Sequence, residues 1–264
     1  MYKAFYGLSR QPFPKDIEPA HMFKYTDFTE LNSRLDYMKK QRGIMLLSGE
    51  PGSGKTTAIR NFVSGLNHDR FVPLYIPLAT VAIGDFYKQL NDILKGERCS
   101  SKSILYRSIQ ERILHYSVQL NKTPIIIIDE AHLLKNDNFF ELQIITNFKM
   151  DSLDPALFIL VAQSHLNDRL GRNFLESFNQ RINMKFHMSS LKPSEVSKFI
   201  DHQIKNAGGT KEIFTENACK IIHNLSGGVV RKIGKLVEKS LSLGVSMKKH
   251  ILSEEEVMIA SKEL

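Results

Sequence analysis

The sequence predicts an α/β fold: a parallel sheet flanked by helices, followed by a small all-helical region. Three observations predict it. Strand-length apolar runs, "GIMLLSG", "TPIIII" and "ALFILVA", alternate with segments of helical period, the pattern of a parallel sheet covered on both faces. Ile125–Ile128 and Leu157–Val161 lack the in-out alternation of a half-exposed strand and suit strands buried on both sides. After residue 190 no further strand pattern occurs, and Gly-Gly pairs at 208–209 and 227–228 punctuate helical segments.

The elements follow in order. Residues 1–42 read as an irregular, aromatic-rich lead and then a helix. Phe28, Leu31, Leu35 and Met38 lie on one face of that helix, and Thr26 or Asp27 is its expected N-cap. A buried-type strand spans 43–49, and "GKTTAIRNFVSGL" is helical. "FVPLYIPL" is a strand near a sheet edge, because Pro73 and Pro77 cannot donate to a ladder. Helices are expected over 83–95 and 102–120, then the strand "TPIIIIDE", a helix over 136–150, the strand "ALFILVA", a helix over 165–179 and the short strand "INMKFHM". Four helices complete the chain. The expected division is 1–42 as part of the first domain, 43–190 as its core and 191–264 as a helical domain.

Composition narrows the function classes. The 264 residues, 42% of them hydrophobic, suffice for one large domain or a medium one with a small one. The apolar runs are too short to cross a bilayer, and the N-terminus has no signal-peptide pattern. Cys99 and Cys219 are far apart and in no metal pattern, which fits a reducing, cytoplasmic setting. Net charge is +8 and favours an anionic partner such as nucleic acid. Residues 181–264 hold 14 Lys and Arg against 9 Asp and Glu, so most of the excess sits in the last third.

"GEPGSGKTT", residues 49–57, matches G-x-x-x-x-G-K-[ST] between an expected strand and an expected helix. Gly49, Gly52 and Gly54 let the loop turn its N–H groups toward phosphate, beside Glu50, Pro51, Ser53 and Thr57, and the helix N-terminus adds positive potential. Lys55 is expected to reach the terminal phosphates of ATP and Thr56 to ligate Mg2+. In "IIIIDEAH", residues 125–132, an apolar strand delivers Asp129 to the carboxyl edge of the sheet as a second magnesium ligand. Glu130, expected to point the other way along the pleat, would activate water. His132 is expected to be structural or a polar group behind the site and receives no catalytic role. The letters DEAH also label a helicase superfamily, but such enzymes need a second RecA-like domain. Here a helical region follows the first.

The order of these motifs resembles an AAA+ ATPase. More narrowly, "YGLSRQPF", "GEPGSGKTT", "IIIIDEAHLL", "NFKMDS", "LVAQSHL", "NQRI" and "SGGVVRKI" resemble the ExeA family. That family includes the ATPase domain of general secretion pathway protein A and stand-alone ATPases found with transposases, akin to TnsC, TniB and Mu B. The resemblance implies a P-loop AAA+ core with a helical lid. It also implies further roles: Gln163 (or Ser164) as sensor 1, Arg181 as an arginine finger acting in trans, and Arg231 as sensor 2. Arg169 and Arg172 compete with Arg181. Phe13 and Phe23 would wall the adenine or cap the core.

The expected function is therefore an ATP-dependent, DNA-binding ATPase that regulates transposition. It would assemble with itself, as a hexameric ring or helical filament, on double-stranded DNA, and would recruit a transposase. Basic charge, an end directly after the lid and the lack of a membrane helix support that expectation. The alternative is a cytoplasmic ATPase domain of a secretion factor. An ATP-gated adaptor is disfavoured by Glu130. DNA contacts are expected mainly to phosphates. The candidates are Thr80, Lys88, Lys135 and Lys149, and on the lid Lys232, Lys235, Lys239, Lys248 and Lys249.

Overall fold

A computed structural model describes residues 2–14, 16–77, 82–97, 99–210 and 212–263. In chain order the helices and strands are α1 (Tyr2–Phe5), α2 (Thr26–Gln41), β1 (Gly43–Gly49), α3 (Lys55–Ser64), β2 (Phe71–Ile76), α4 (Ile83–Ile93), α5 (Lys102–Leu114), β3 (Thr123–Ile128), α6 (Asn136–Ile145), β4 (Leu157–Ala162), α7 (His165–Leu170), α8 (Glu176–Gln180), β5 (Ile182–Met188), α9 (Pro193–Asn206), α10 (Glu216–Ser226), α11 (Val230–Ser246) and α12 (Glu254–Ser261). Two compact units result. One comprises Glu30–Gly49 and Ala58–Met188; the other comprises Met1–Thr29, Glu50–Thr57 and Ser189–Leu264.

The first unit holds a five-stranded sheet in the order β2-β3-β4-β1-β5. Every pairing is parallel, so all strand carboxyl ends share one edge. β1, β3 and β4 occupy the interior and are buried throughout. This explains their unbroken apolar runs: both faces are covered, so no position has to be polar. β2 and β5 are the edges, where exposure returns. Pro73 is tolerated in β2 because an edge strand has one side without a ladder. Under one face Ile126, Ile128, Phe158 and Leu160 pack with Phe86, Leu90, Ile109, Phe139 and Phe178.

Four local expectations are corrected. The helix expected over 136–150 ends at Ile145. Beyond it Lys149, Met150 and Asp151 all take positive φ, and an antiparallel bridge joins Phe148 to Leu153. This tight bend returns the chain to β4. The helix expected over 165–179 is broken, because Arg172 is extended between α7 and α8. Thr26 is not a cap but the first residue of α2. Its N–H and hydroxyl donate to Glu195 Oε1 at 3.1 and 2.8 Å, while Asp27 accepts from the Ser189 N–H at 2.7 Å. Finally, β3 stops at Ile128, and Glu130 has φ 50°. Its direction comes from a left-handed turn rather than from the pleat.

The second unit is helical. α10, α11 and α12 pack on one another, and the lead packs on α9 and α11. Ser9 N–H donates to the Ala207 carbonyl at 2.7 Å, the Tyr6 hydroxyl to the Lys249 carbonyl at 2.8 Å, and Phe13 lies edge-on to Phe199. Gly228, at φ 74°, sits where a Cβ would lie 2.2 Å from the Leu191 carbonyl oxygen. This accounts for a glycine at the turn into α11.

Candidate functional site: a phosphate loop and a carboxylate pair

In the helical unit the loop Glu50–Thr57 leads into α3. Gly52 and Gly54 have φ 83° and 102°, a region that L residues enter only with strain. Lys55 Nζ donates to the Glu50 carbonyl at 2.9 Å, which folds the lysine over the loop. The buried Ser53 hydroxyl has no protein partner, and the Ser53 carbonyl accepts from the Tyr25 hydroxyl at 3.3 Å. Thr56 and Thr57 follow in the first turn of α3. Arg231 in the first turn of α11 meets this loop directly. Its N–H donates to the Gly52 carbonyl at 3.1 Å, and a Cβ on Gly52 would lie 2.8 Å from Arg231 Cβ. Phe13 and Phe23 both pack on Phe199, and Phe23 also lies against Tyr25 and His202.

In the sheet unit, Gly49, Asp129 and Gln163 end or follow β1, β3 and β4 at the shared carboxyl edge. Asp129 is 7% exposed. Its Oδ2 accepts from the Tyr75 hydroxyl and its Oδ1 from the Glu130 N–H, both at 2.9 Å. Burial first, and then the bond to Asp129, push the Tyr75 hydroxyl up to about 12, so it is a proton donor at neutral pH. Glu130 Oε2 lies 3.4 Å from His132 Nδ1, and the Gln163 N–H approaches the same nitrogen at 3.4 Å. His132 is buried and edge-on to His165 at 4.9 Å.

Sequence reasoning did not single out Tyr75, and it read His132 as a structural or supporting polar group. No motif marks the tyrosine, which faces Asp129 only through strand pairing. His132 carried a weak signal: a histidine two residues beyond a strand-end carboxylate.

The arginines separate. Arg169 donates to the carbonyls of His132 and Leu134 at 2.9 and 2.6 Å and lies over the Phe139 ring, so it braces the turn after Glu130. Arg172 is exposed. Arg181 ion-pairs with Asp151 at 2.7 Å. It directly precedes β5, which runs parallel to β1, and therefore sits at the amino edge of the sheet. A seven-residue strand places it about 20 Å from the edge that carries Asp129, Glu130 and Gln163.

The residues present fit a nucleotide phosphate and a magnesium ion. The left-handed glycines and the α3 N-terminus suit an anion. Thr56 and Asp129 each carry a hard oxygen donor of the kind that Mg2+ takes alongside phosphate and water. Among the described residues no group of three or more His, Cys, Asp or Glu could hold a metal by itself, and a phosphate-bound Mg2+ requires none.

Fold and site together define a P-loop ATPase of the AAA+ class. Residues 38–170 match the family described as AAA domain, and the chain belongs to that family. It is 26% identical to general secretion pathway protein A of Aeromonas hydrophila over 267 residues, covering 100% of this chain and 48% of that protein; the chain thus spans about half the length of this relative. In structure it is similar to Aeropyrum pernix ORC2 (TM-score 0.69, 15% identity, 97% of this chain and 71% of that one). Drosophila ORC bound to DNA gives TM-score 0.71 at 15% identity (98% and 64%). The Thermotoga maritima RuvB Holliday junction branch migration motor gives 0.58 at 16% (97% and 74%). At these identities the likeness concerns the fold. Among the described residues no helix is long and apolar enough to cross a membrane.

Proposed function

We propose that the chain binds and hydrolyses ATP with magnesium and that hydrolysis is switched on by self-assembly. The observation that carries this reading is the opposition between the two sheet edges. Asp129, Glu130 and Gln163 gather at the carboxyl edge to which β1 leads the phosphate loop, whereas Arg181 lies at the amino edge. On this reading Lys55, with the loop Gly49–Thr57, holds the phosphates. Thr56 and Asp129 hold Mg2+, which neutralises phosphate charge. Glu130 orients and deprotonates water, Gln163 contacts the terminal phosphate, and Arg231 reaches the nucleotide from the first turn of α11. Arg181 cannot serve its own site across about 20 Å, so it would serve a neighbour's. The domain division at 43–190 and 191–264 belongs to this proposal.

We further propose that assembly takes place on duplex DNA and serves transposition, through recruitment of a transposase. Support comes from the +8 charge and from fold likeness to a DNA-bound ORC and to a branch migration motor. The contact residues remain candidates of unequal standing. Lys249 is paired with Glu256, Lys239 with Glu263 and Lys88 with Asp85. Lys232, Lys235 and Lys248 are exposed. Lys135 and Lys149 lie beyond opposite ends of α6, and Thr80 lies outside the described residues. The similarity to general secretion pathway protein A supports a second reading, a cytoplasmic secretion-factor ATPase.

Electron microscopy with ATP, with and without duplex DNA, separates the two. Rings or filaments that require DNA are the expected result. Turnover and assembly indifferent to DNA would remove the DNA reading and leave the secretion reading standing.

A further inference from the structure

Tyr75 belongs to the edge strand β2 and stands in register with Ile127 of β3. The residue is 47% exposed, yet its hydroxyl donates at 2.9 Å to the buried Asp129 carboxylate. The other carboxylate oxygen is held by the Glu130 N–H at 2.9 Å, and the Asp129 N–H donates to the Ile76 carbonyl at 3.1 Å. The backbone of Asp129 is thus anchored to β2 one residue beyond Tyr75, and both carboxylate oxygens are engaged. A phenylalanine would serve an edge strand as well as a tyrosine, so the hydroxyl is the group that needs an account.

We propose that Tyr75 is a positioning residue that fixes the rotamer of Asp129 for a divalent cation bound with the nucleotide. The inference rests on the reading of Asp129 as a magnesium ligand. A short carboxylate at a strand end turns freely about its side-chain bonds. Two donors on opposite oxygens favour one orientation of the carboxylate toward the cation or its waters. Mg2+ tolerates little distortion of its octahedron, so an unheld carboxylate binds it less well. Groups that orient a metal ligand commonly contribute about tenfold or more in metal affinity.

The test compares the full chain with Tyr75→Phe and Asp129→Asn by titration of a fluorescent ATP analogue, first in EDTA and then with increasing Mg2+, alongside thermal melting. In EDTA, Tyr75→Phe is expected to bind the analogue as the unaltered chain does, and to melt at a similar temperature. The Mg2+ concentration for half-maximal enhancement is expected to rise about tenfold. Asp129→Asn should lose most of the enhancement. If Tyr75→Phe follows the unaltered Mg2+ curve while Asp129→Asn does not, the positioning role is wrong and the ligand reading stands. If Asp129→Asn also keeps the enhancement, the ligand reading fails first. If Tyr75→Phe loses affinity equally in EDTA and melts earlier, the hydroxyl is a cross-strand tie and the proposal is overturned.

Discussion

The backbone N–H of Arg231 donates to the carbonyl of Gly52 at 3.1 Å, so the first turn of α11 and the phosphate loop form one construction. Gly52 is left-handed at φ 83°, and a Cβ there would meet Arg231 Cβ at 2.8 Å and Val229 Cγ1 at 3.3 Å. Gly52→Ala therefore carries both backbone strain and a clash. It is expected to destabilise the loop by about 1–3 kcal/mol and to reduce the rise in melting temperature on adding ATP. Arg231→Ala keeps the backbone contact and removes the side chain beyond Cβ, the guanidinium with it. Turnover is then expected to fall about 10²-fold with little change in melting temperature.

Glu130 and Lys55 separate binding from chemistry. Glu130→Gln should retain ATP and lose about 10²–10⁴ in turnover, read as phosphate release against filter-retained nucleotide. Lys55→Ala should lose retention itself. A Glu130→Gln protein that turns over normally would rule out Glu130 as the base.

Arg181, held by Asp151 at the edge remote from its own carboxylates, gives a complementation test. Arg181→Ala alone should lose about 10³-fold or more in assembled turnover. Mixed with Lys55→Ala subunits, which keep Arg181 but bind no nucleotide, it should regain part of that activity. No recovery in stable mixed assemblies would argue against action in trans.

Glu256 sets a pH dependence in the helical unit. Burial raises its carboxyl, but hydrogen bonds from Lys249 and Ser253 outweigh this and hold it lowered, at about 2. A carboxyl depressed in the folded state contributes stability that is present above its unfolded value and is lost as pH falls through the folded value. Glu256→Gln should therefore lower the melting temperature at pH 7 by a few degrees, about 2–4 °C for roughly 1 kcal/mol. The gap to the unaltered chain should shrink as pH falls from about 4.5 toward 2. A gap independent of pH would mean that packing, not charge, holds this residue.

Much of the fold was legible because its signals are local. The buried strands announce themselves as uninterrupted apolar runs, and Pro73 marks an edge. Where local signals misled, the return of the chain had decided otherwise. Helical period continues past Ile145, but the chain must turn back into β4, so Lys149–Asp151 go left-handed. Period 2 would carry Glu130 outward along a pleat, but the strand has already ended.

The sequence by itself determined the sheet-and-helix order, the phosphate loop and the acidic strand end, because glycine spacing and apolar periodicity are properties of consecutive residues. Only the tertiary structure decided which side chains meet. It brought Tyr75 to Asp129, His132 between Glu130 and Gln163, and Arg231 to Gly52, and it placed Arg181 at the far edge with Asp151. Those relations depend on strand order and helix docking, which bring together residues as far as 179 positions apart and leave no trace in local spacing.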